Sequence, residues 1–135
     1  MSELDDIRQQ YESGQLDSIK EDLKKFLCLH RTKILAYRDE QQGKGLNLPD
    51  DAAIKFYLLR YRSINPGREI REQLEEIQKE KWIRGVQQGC APDDDQVFFE
   101  WSRTHGAGWR AHRVTTIIYV FDREKQRYVD IFRKC

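Results

Sequence analysis

The chain has 135 residues, of which 35% are charged and 39% are hydrophobic, and its formal net charge is +1. This length and composition predict one soluble globular domain (residues 1–135) with a single core. No apolar run is long enough to cross a membrane, and the acidic start, from Met1 to Asp6, argues against a basic-then-apolar leader. We therefore expect neither membrane association nor secretion.

The number of cysteines indicates whether the protein works in a reducing or an oxidising compartment. Cys28, Cys90 and Cys135 make an odd number, whereas small secreted domains usually carry an even set joined in disulfides. We therefore predict free thiols in a reducing cytoplasm, with Cys135 as an exposed thiol at the end of the chain.

The first half of the chain has the apolar spacing of helices. A short helix is predicted over residues 3–11, and Ser13 and Gly14 break it. A single long helix then follows over about residues 16–41, because its apolar residues recur at three- and four-residue steps. We expect this stripe to face the core, and dimerisation through the long helix stays open. The stripe consists of Leu16, Ile19, Leu23, Phe26, Leu27 or His30, Ile34 and Tyr37.

Two further helices are predicted before residue 90. Pro49 fits the first turn of a third helix, and Asp50 and Asp51 are favourable at its positive end. Because this helix is apolar nearly all round as far as Tyr61, we expect it to be the most buried one. A fourth helix is predicted over residues 66–88, ended by Gly89 and Pro92. Its apolar face holds Ile70, Leu74, Ile77, Trp82 and Val86.

From residue 96 onward the sequence becomes rich in β-branched and aromatic residues. The run over 114–121 is the strongest strand signal, and residues 128–132 follow after a polar four-residue turn. Residues 97–101 fit either helix or strand. We favour strand because Gly106 and Gly108 would each cost a helix about 1 kcal/mol relative to alanine. The predicted fold class is therefore α+β: about four helices (residues 1–90) followed by a three-stranded antiparallel β-meander (residues 96–134).

The meander would have two unlike faces. Pairing Thr104 with Trp109 and Asp122 with Arg127 gives one apolar face suited to pack on the helices. The opposite face is too aromatic for a solvated surface, so we expect it to be covered by the protein's own helices, a second protomer or a ligand. The candidate binding residues on this face are Arg113, Tyr119, Phe121, Tyr128, Asp130 and Phe132.

No motif for a cofactor, metal or nucleotide stands out. Cys28 and His30 lie two apart on a helix and point in opposite directions, so they cannot share one ion. No four-ligand zinc pattern occurs, and Gly43-Lys44-Gly45 lacks the spacing of a phosphate loop. Asp130 would sit among aromatic side chains, where burial raises the pKa of a carboxyl group and suits it to acid–base chemistry. We prefer a solvated Asp130 at a sheet edge.

The leading functional hypothesis is a non-enzymatic cytoplasmic protein-binding or regulatory module, with homodimerisation through the aromatic sheet face or the long helix. An alternative is a nucleic-acid-binding module, because residues 96–135 hold 8 Lys/Arg against 4 Asp/Glu and exposed aromatics can stack on bases. A second alternative is an enzyme on a small ligand, with Asp130, His112 or His105 in a pocket.

Overall fold

The computed structural model describes residues 2–135, and within this range the protein is helical throughout, with no strand. The elements in chain order are α1 (Glu3–Glu12), α2 (Asp17–Leu29), α3 (Arg31–Gly43), α4 (Asp50–Tyr61), α5 (Pro66–Gln88), α6 (Asp94–Trp101), a π-helical turn (Ser102–Gly106), α7 (Ala107–Arg123) and α8 (Lys125–Lys134). None of these helices is both long enough and apolar enough to span a bilayer.

The predicted α+β fold and its C-terminal β-meander are wrong. The segment expected to be three strands forms α6, the π-helical turn, α7 and α8. Its β-branched and aromatic residues also repeat at helical spacing: Val114, Ile117, Val120 and Phe121 are all buried on α7. Burial of one helix face therefore outweighs the local preference for strand. The predicted hairpin turn is only the short join at Glu124 between α7 and α8.

The described chain divides into two compact units. The first contains residues 2–64 and 114–135, and the second contains residues 65–113. The second boundary falls inside α7. That the whole chain acts as one domain stays a prediction.

The first unit holds the larger core. In it α8 packs against α2 and α4, and α3 packs against α4. The predicted apolar stripe of residues 16–37 is confirmed as core. Its members that are at most 5% exposed are Leu16, Ile19, Leu23, Phe26, Leu27 and Ile34.

The predicted single long helix is wrong, because it is broken at His30. This residue leaves helical geometry (φ −99°, ψ 9°) and separates α2 from α3. The imidazole is buried and stacks on the ring of Phe26, with 4.2 Å between ring centroids. Its Nδ1 lies 2.9 Å from the Tyr57 hydroxyl on α4. The break therefore coincides with a tertiary contact of the side chain.

Helix α4 is less buried than predicted. Asp50 and Asp51 occupy its first turn as expected, and Ile54 and Leu58 are buried. Three of its large apolar residues are nevertheless between 44% and 48% exposed: Phe56, Leu59 and Tyr61. The helix ends at Arg62, which has a positive φ of 67°.

Two of the three cysteines are joined. Cys28 on α2 and Cys135, which follows α8, form a disulfide with their Cα atoms 5.2 Å apart, while Cys90 is free and exposed. The prediction of free thiols is therefore wrong for Cys28 and Cys135. An odd count shows that one thiol is left over, but it does not show that the others are unpaired.

The second unit has a small core. Helix α5 has the bounds predicted from sequence, with the Asn65 side chain accepting a hydrogen bond from the Arg68 amide over 3.0 Å. Helix α6 begins the same way, at Asp93, which accepts from the Gln96 amide over 2.9 Å. Only three residues form the buried cluster, with Trp109 partly buried against it: Ile77, Val97 and Trp101.

Candidate functional site

The exposed large apolar side chains of the described residues are concentrated in the second unit. Seven of the thirteen lie within residues 65–113, although this unit is little more than a third of the chain. They are Ile70, Leu74, Trp82, Ile83, Val86, Phe98 and Phe99. Apolar side chains scattered singly on a surface are normal, but a concentration of this kind usually marks a surface that binds something.

Four of these residues form a regular row along α5. Ile70, Leu74, Trp82 and Val86 are 57%, 43%, 70% and 64% exposed, and Gln78 completes a strict four-residue spacing. At 3.6 residues per turn, each of the five side chains leaves the helix axis within about 80° of the direction taken by Gln78. We call this row the α5 apolar surface. The helix was correctly predicted, and of the five residues of its predicted apolar face only Ile77 is buried.

Shallow depressions adjoin the α5 apolar surface. One of about 700 Å³ lies between Leu74 and Trp82, and a second of about 500 Å³ continues past Val86 toward Pro92. A third, of about 230 Å³, extends from Leu74 to Phe98 on α6. Gln78 lines all three, so they form one continuous uneven surface around the middle of α5.

Charged side chains of both signs border this surface. Lys81 forms an ion pair with Asp94 at the start of α6, and Lys79 pairs with Glu76 over 3.1 Å. Glu75 is exposed on the opposite side of the row from Lys81. An apolar centre with a mixed polar rim is the usual composition of a protein–protein contact surface.

The residues predicted to bind on the sheet face are dispersed by the helical fold. Phe121, Tyr128 and Phe132 are at most 2% exposed in the core of the first unit. The rings of Phe121 and Tyr128 do meet, with centroids 6.0 Å apart, but inside the core. Asp130 is exposed on α8, where it accepts a hydrogen bond from Gln126 over 2.9 Å. These four side chains therefore share no open surface.

Arg113 and Tyr119 have partners of their own. Arg113 forms an ion pair with Glu72, and its guanidinium lies over the ring of Trp109 at 4.8 Å. Tyr119 accepts a hydrogen bond from Arg123 over 3.4 Å. Tyr119 also lines an apolar depression of about 480 Å³ in the first unit, together with Leu4, Leu59, Val114, Thr115, Ile118, Asp122 and Arg123.

The histidines of the enzyme hypothesis, His105 and His112, belong to the second unit, and Asp130 belongs to the first. His105, on the π-helical turn, lines an open cleft of about 560 Å³ with Trp101 and Trp109. His112 lies further along α7 and is half-buried. Within residues 2–135, no three His, Cys, Asp or Glu side chains come close enough together to hold a metal ion.

The α5 apolar surface therefore has the features of a contact surface for another helix. A helix with aliphatic residues at three- and four-residue steps would lie along the row, with its polar residues meeting the charged rim. Comparisons with protein-family models, with curated proteins and with solved structures found no match for this chain.

Proposed function

We propose that this protein is a non-enzymatic protein-binding module and that the α5 apolar surface is where the partner docks. The observation that carries the proposal is the exposure of Trp82, which is 70% exposed between the exposed residues Leu74 and Val86. Tryptophan is among the residues that most often dominate the energy of protein–protein contacts. Its burial by a partner would remove a large apolar area from water.

The partner proposed is an amphipathic helix. The row on α5 has helical spacing, and the depressions on both sides of Trp82 are shallow and open rather than deep. A small molecule usually needs a concave site that encloses most of its surface. An amphipathic helix needs only a shallow apolar groove with polar edges.

Photo-crosslinking tests the proposal in the cell that makes the protein. A photoreactive phenylalanine at Gln78 should form a covalent protein adduct, because Gln78 lies in the middle of the surface. The matched control carries the same group at Lys25, an exposed residue of α2. Adding Leu74→Glu to the Gln78 variant should abolish its adduct. Equal adducts from both positions, or none at Gln78, would contradict the proposal.

We also propose the cytoplasm as the location. The odd cysteine count supported this prediction, but the disulfide between Cys28 and Cys135 weakens that support, since disulfides are rare in the cytosol. Rapid alkylation of thiols in intact cells, followed by mass spectrometry, tests it. Alkylated Cys28 and Cys135 would indicate a reducing compartment, whereas their recovery as a joined pair would indicate an oxidising one.

A further inference from the structure

We propose that the apolar depression beside Tyr119 binds a small carboxylate that carries a linear apolar tail, the chemistry of a medium-chain fatty acid. The depression measures about 480 Å³, and residues of α1, α4 and α7 line it. Small-molecule sites in proteins usually measure about 300–1,000 Å³. We call this depression the α7 groove. It lies wholly in the first unit and shares no residue with the α5 apolar surface, so the inference goes beyond the proposed function.

Helix α7 forms the floor of the α7 groove, and α1 and α4 flank it. Tyr119 of α7 meets α1, because the centroid of its ring lies 5.9 Å from that of Tyr11. Asp122 meets α4 through an ion pair with Lys55 over 2.9 Å. A ligand lying on α7 would therefore have a helix on each side.

The lining of the α7 groove favours an elongated apolar body. Leu4 of α1 and Leu59 of α4 are 57% and 44% exposed, and Ile118 of α7 is partly buried. The lining residues of α7 extend from Val114 to Arg123, a distance of about 14 Å at 1.5 Å rise per residue. A linear alkyl chain along this line would remove the exposed leucine side chains from water.

A positive charge without a carboxylate partner lies at one end of the groove. Arg123 is exposed in the last turn of α7, and its guanidinium lies over the ring of Tyr11 at 4.9 Å. Its Nη1 donates a hydrogen bond to the Tyr119 hydroxyl over 3.4 Å. Among residues 2–135 no Asp or Glu side chain forms an ion pair with Arg123. Because a guanidinium has five N–H donors, most of them remain available to a carboxylate.

The other charges at this end do not cancel that of Arg123. Asp122 also lines the groove, but its two carboxylate oxygens already accept hydrogen bonds from the Lys55 ammonium over 3.1 and 2.9 Å. The C-terminal end of α7 adds a partial negative charge of about one half, which the full charge of Arg123 exceeds. The uncompensated charge of the groove is therefore positive, and it favours an anionic head group over a cationic one.

The Tyr119 hydroxyl offers a second contact to the head group. It accepts a hydrogen bond from Arg123, so its own hydrogen is left to donate, and no acceptor for it occurs within residues 2–135. A carboxylate beside these two side chains would accept from the guanidinium with one oxygen and from the hydroxyl with the other. The tail would then extend along α7 toward Val114.

Titration calorimetry with the full chain at neutral pH tests the class of ligand. Decanoate, decylammonium and decan-1-ol are the probes, because they share one tail length and differ in the head group. We expect decanoate to bind with a dissociation constant on the order of 0.1 mM, and decylammonium at least about fivefold more weakly. Equal affinities for these two ions, or no binding of decanoate, would overturn the proposal.

Arg123→Gln tests the contact with the head group. This variant should bind decanoate about fivefold more weakly and decan-1-ol as the parent does, because the alcohol has no charge for Arg123 to bind. The matched control is Arg127→Gln, which removes an exposed arginine of α8 that pairs with Glu124 and should change neither affinity. An equal loss of both probes from Arg123→Gln, or no loss of decanoate, would contradict a carboxylate site.

Leu59→Glu tests where the tail lies. Leu59 and Leu74 are 44% and 43% exposed, so Leu74→Glu on the α5 apolar surface is the matched control. Only Leu59→Glu should abolish decanoate binding, because it places a negative charge in the groove. Circular dichroism confirms that both variants remain folded. Loss of binding from Leu74→Glu instead would place the tail on the α5 apolar surface and overturn the proposal.

Backbone NMR of the parent locates the ligand without any substitution. Decanoate should shift the amide signals of Thr115 and Tyr119, which line the groove, and leave that of Gly85 on α5 in place. Shifts confined to α5 would contradict the site. Neither result depends on whether Gln78 photo-crosslinks to a protein, so this inference and the proposed function can fail separately.

Discussion

The Asp50 carboxylate accepts a hydrogen bond from Nε of Arg133 over 2.8 Å, although 83 residues separate the two in the chain. Arg38 donates a second hydrogen bond to the same carboxylate over 3.0 Å. The first residue of α4 therefore ties α3 and α8 together. The hydrogen bond from Arg133, with a further one from Arg38, lowers the pKa of Asp50 below its usual 3.8.

Replacing Asp50 should weaken the first unit. Asp50→Asn removes a negative charge that two guanidinium groups bind, so we expect the free energy of unfolding to fall by about 1–3 kcal/mol. Urea unfolding at neutral pH measures this loss. The matched control is Asp122→Asn, whose exposed pair with Lys55 should contribute at most about 1 kcal/mol. Equal losses from both variants would contradict the role given to Asp50.

The same contact should make the stability sensitive to acid. Because the pKa of Asp50 is lower in the folded protein than in the unfolded chain, the unfolded chain binds more protons as the pH drops below 3.8. The free energy of unfolding should therefore decrease with falling pH in that range, and by a smaller amount in Asp50→Asn. Parallel acid dependence in both proteins would show that Asp50 does not contribute.

His30 should produce a second pH dependence at higher pH. Burial lowers the pKa of His30 below its usual 6.5, and the charge of Lys33 lowers it further. The unfolded chain then binds the proton more readily, so the free energy of unfolding should fall as the pH drops below about 6.5. Urea unfolding at about pH 7.5 and 5.5 should show a larger difference in the parent than in His30→Gln. An equal difference in the parent and in His30→Gln would show that His30 does not cause this pH dependence.

Tyr128→Phe should leave the stability unchanged or raise it by about 1 kcal/mol, because a buried hydroxyl without a partner costs free energy. Among the described residues the buried hydroxyl of Tyr128 has no hydrogen-bond partner, and burial raises its pKa. Tyr57→Phe is the matched control and should lose about 1 kcal/mol, since it removes the hydrogen bond to His30. A marked loss from Tyr128→Phe in urea unfolding would indicate a partner for its hydroxyl.

The disulfide should contribute measurably to stability. Joining Cys28 to Cys135 closes a loop across 107 residues, and disulfides typically add about 2–4 kcal/mol. We expect the Cys28→Ser/Cys135→Ser variant to lose about that amount in unfolding without reductant, and the parent with reductant to match it. Cys90→Ser is the control and should change the stability by at most about 0.5 kcal/mol. Thiol titration of the unfolded parent should find one thiol.

Local capping chemistry explains which elements were predictable from sequence. Helix α5 has its predicted bounds because Asn65 caps its first turn and Gly89, with φ of 73°, ends it. Both signals depend on neighbouring residues alone. The break at His30 has no such signal, because it coincides with a contact to Tyr57, which is 27 residues away. A sequence pattern does not report that contact.

The C-terminal third shows why a consistent strand register was not sufficient evidence. Residues 114–121 are β-branched and aromatic, and alternate positions gave two hairpins with one apolar face. The spacing of Val114, Ile117, Val120 and Phe121 fits a helix equally well, and their burial against the first unit's core favours it. Gly106 and Gly108 do not prevent the helical path, which continues through the π-helical turn into α7.

The sequence predicts the apolar residues of the α5 apolar surface as one helix face, but it does not predict that this face is exposed. Its residues have the spacing of a core-facing helix, and spacing does not reveal how much apolar material is available to cover them. The second unit supplies only Val97 and Trp101 as buried partners for Ile77, with Trp109 partly buried. The rest of the row therefore stays exposed.

The bond between Cys28 and Cys135 also determines how the chain carries mechanical load. Force applied between residue 2 and Cys135 passes through the disulfide to Cys28, so the intervening residues form a closed ring that bears no tension. In optical tweezers the oxidised protein should extend by at most about 90 Å, at about 3.5 Å per residue. The reduced protein should reach about 460 Å by the same measure. The second unit, residues 65–113, lies wholly inside this ring and would thus bear no tension while the cysteines stay joined. The load would instead fall on α1 and α2, which supply Ile7 and Leu23 to the core of the first unit.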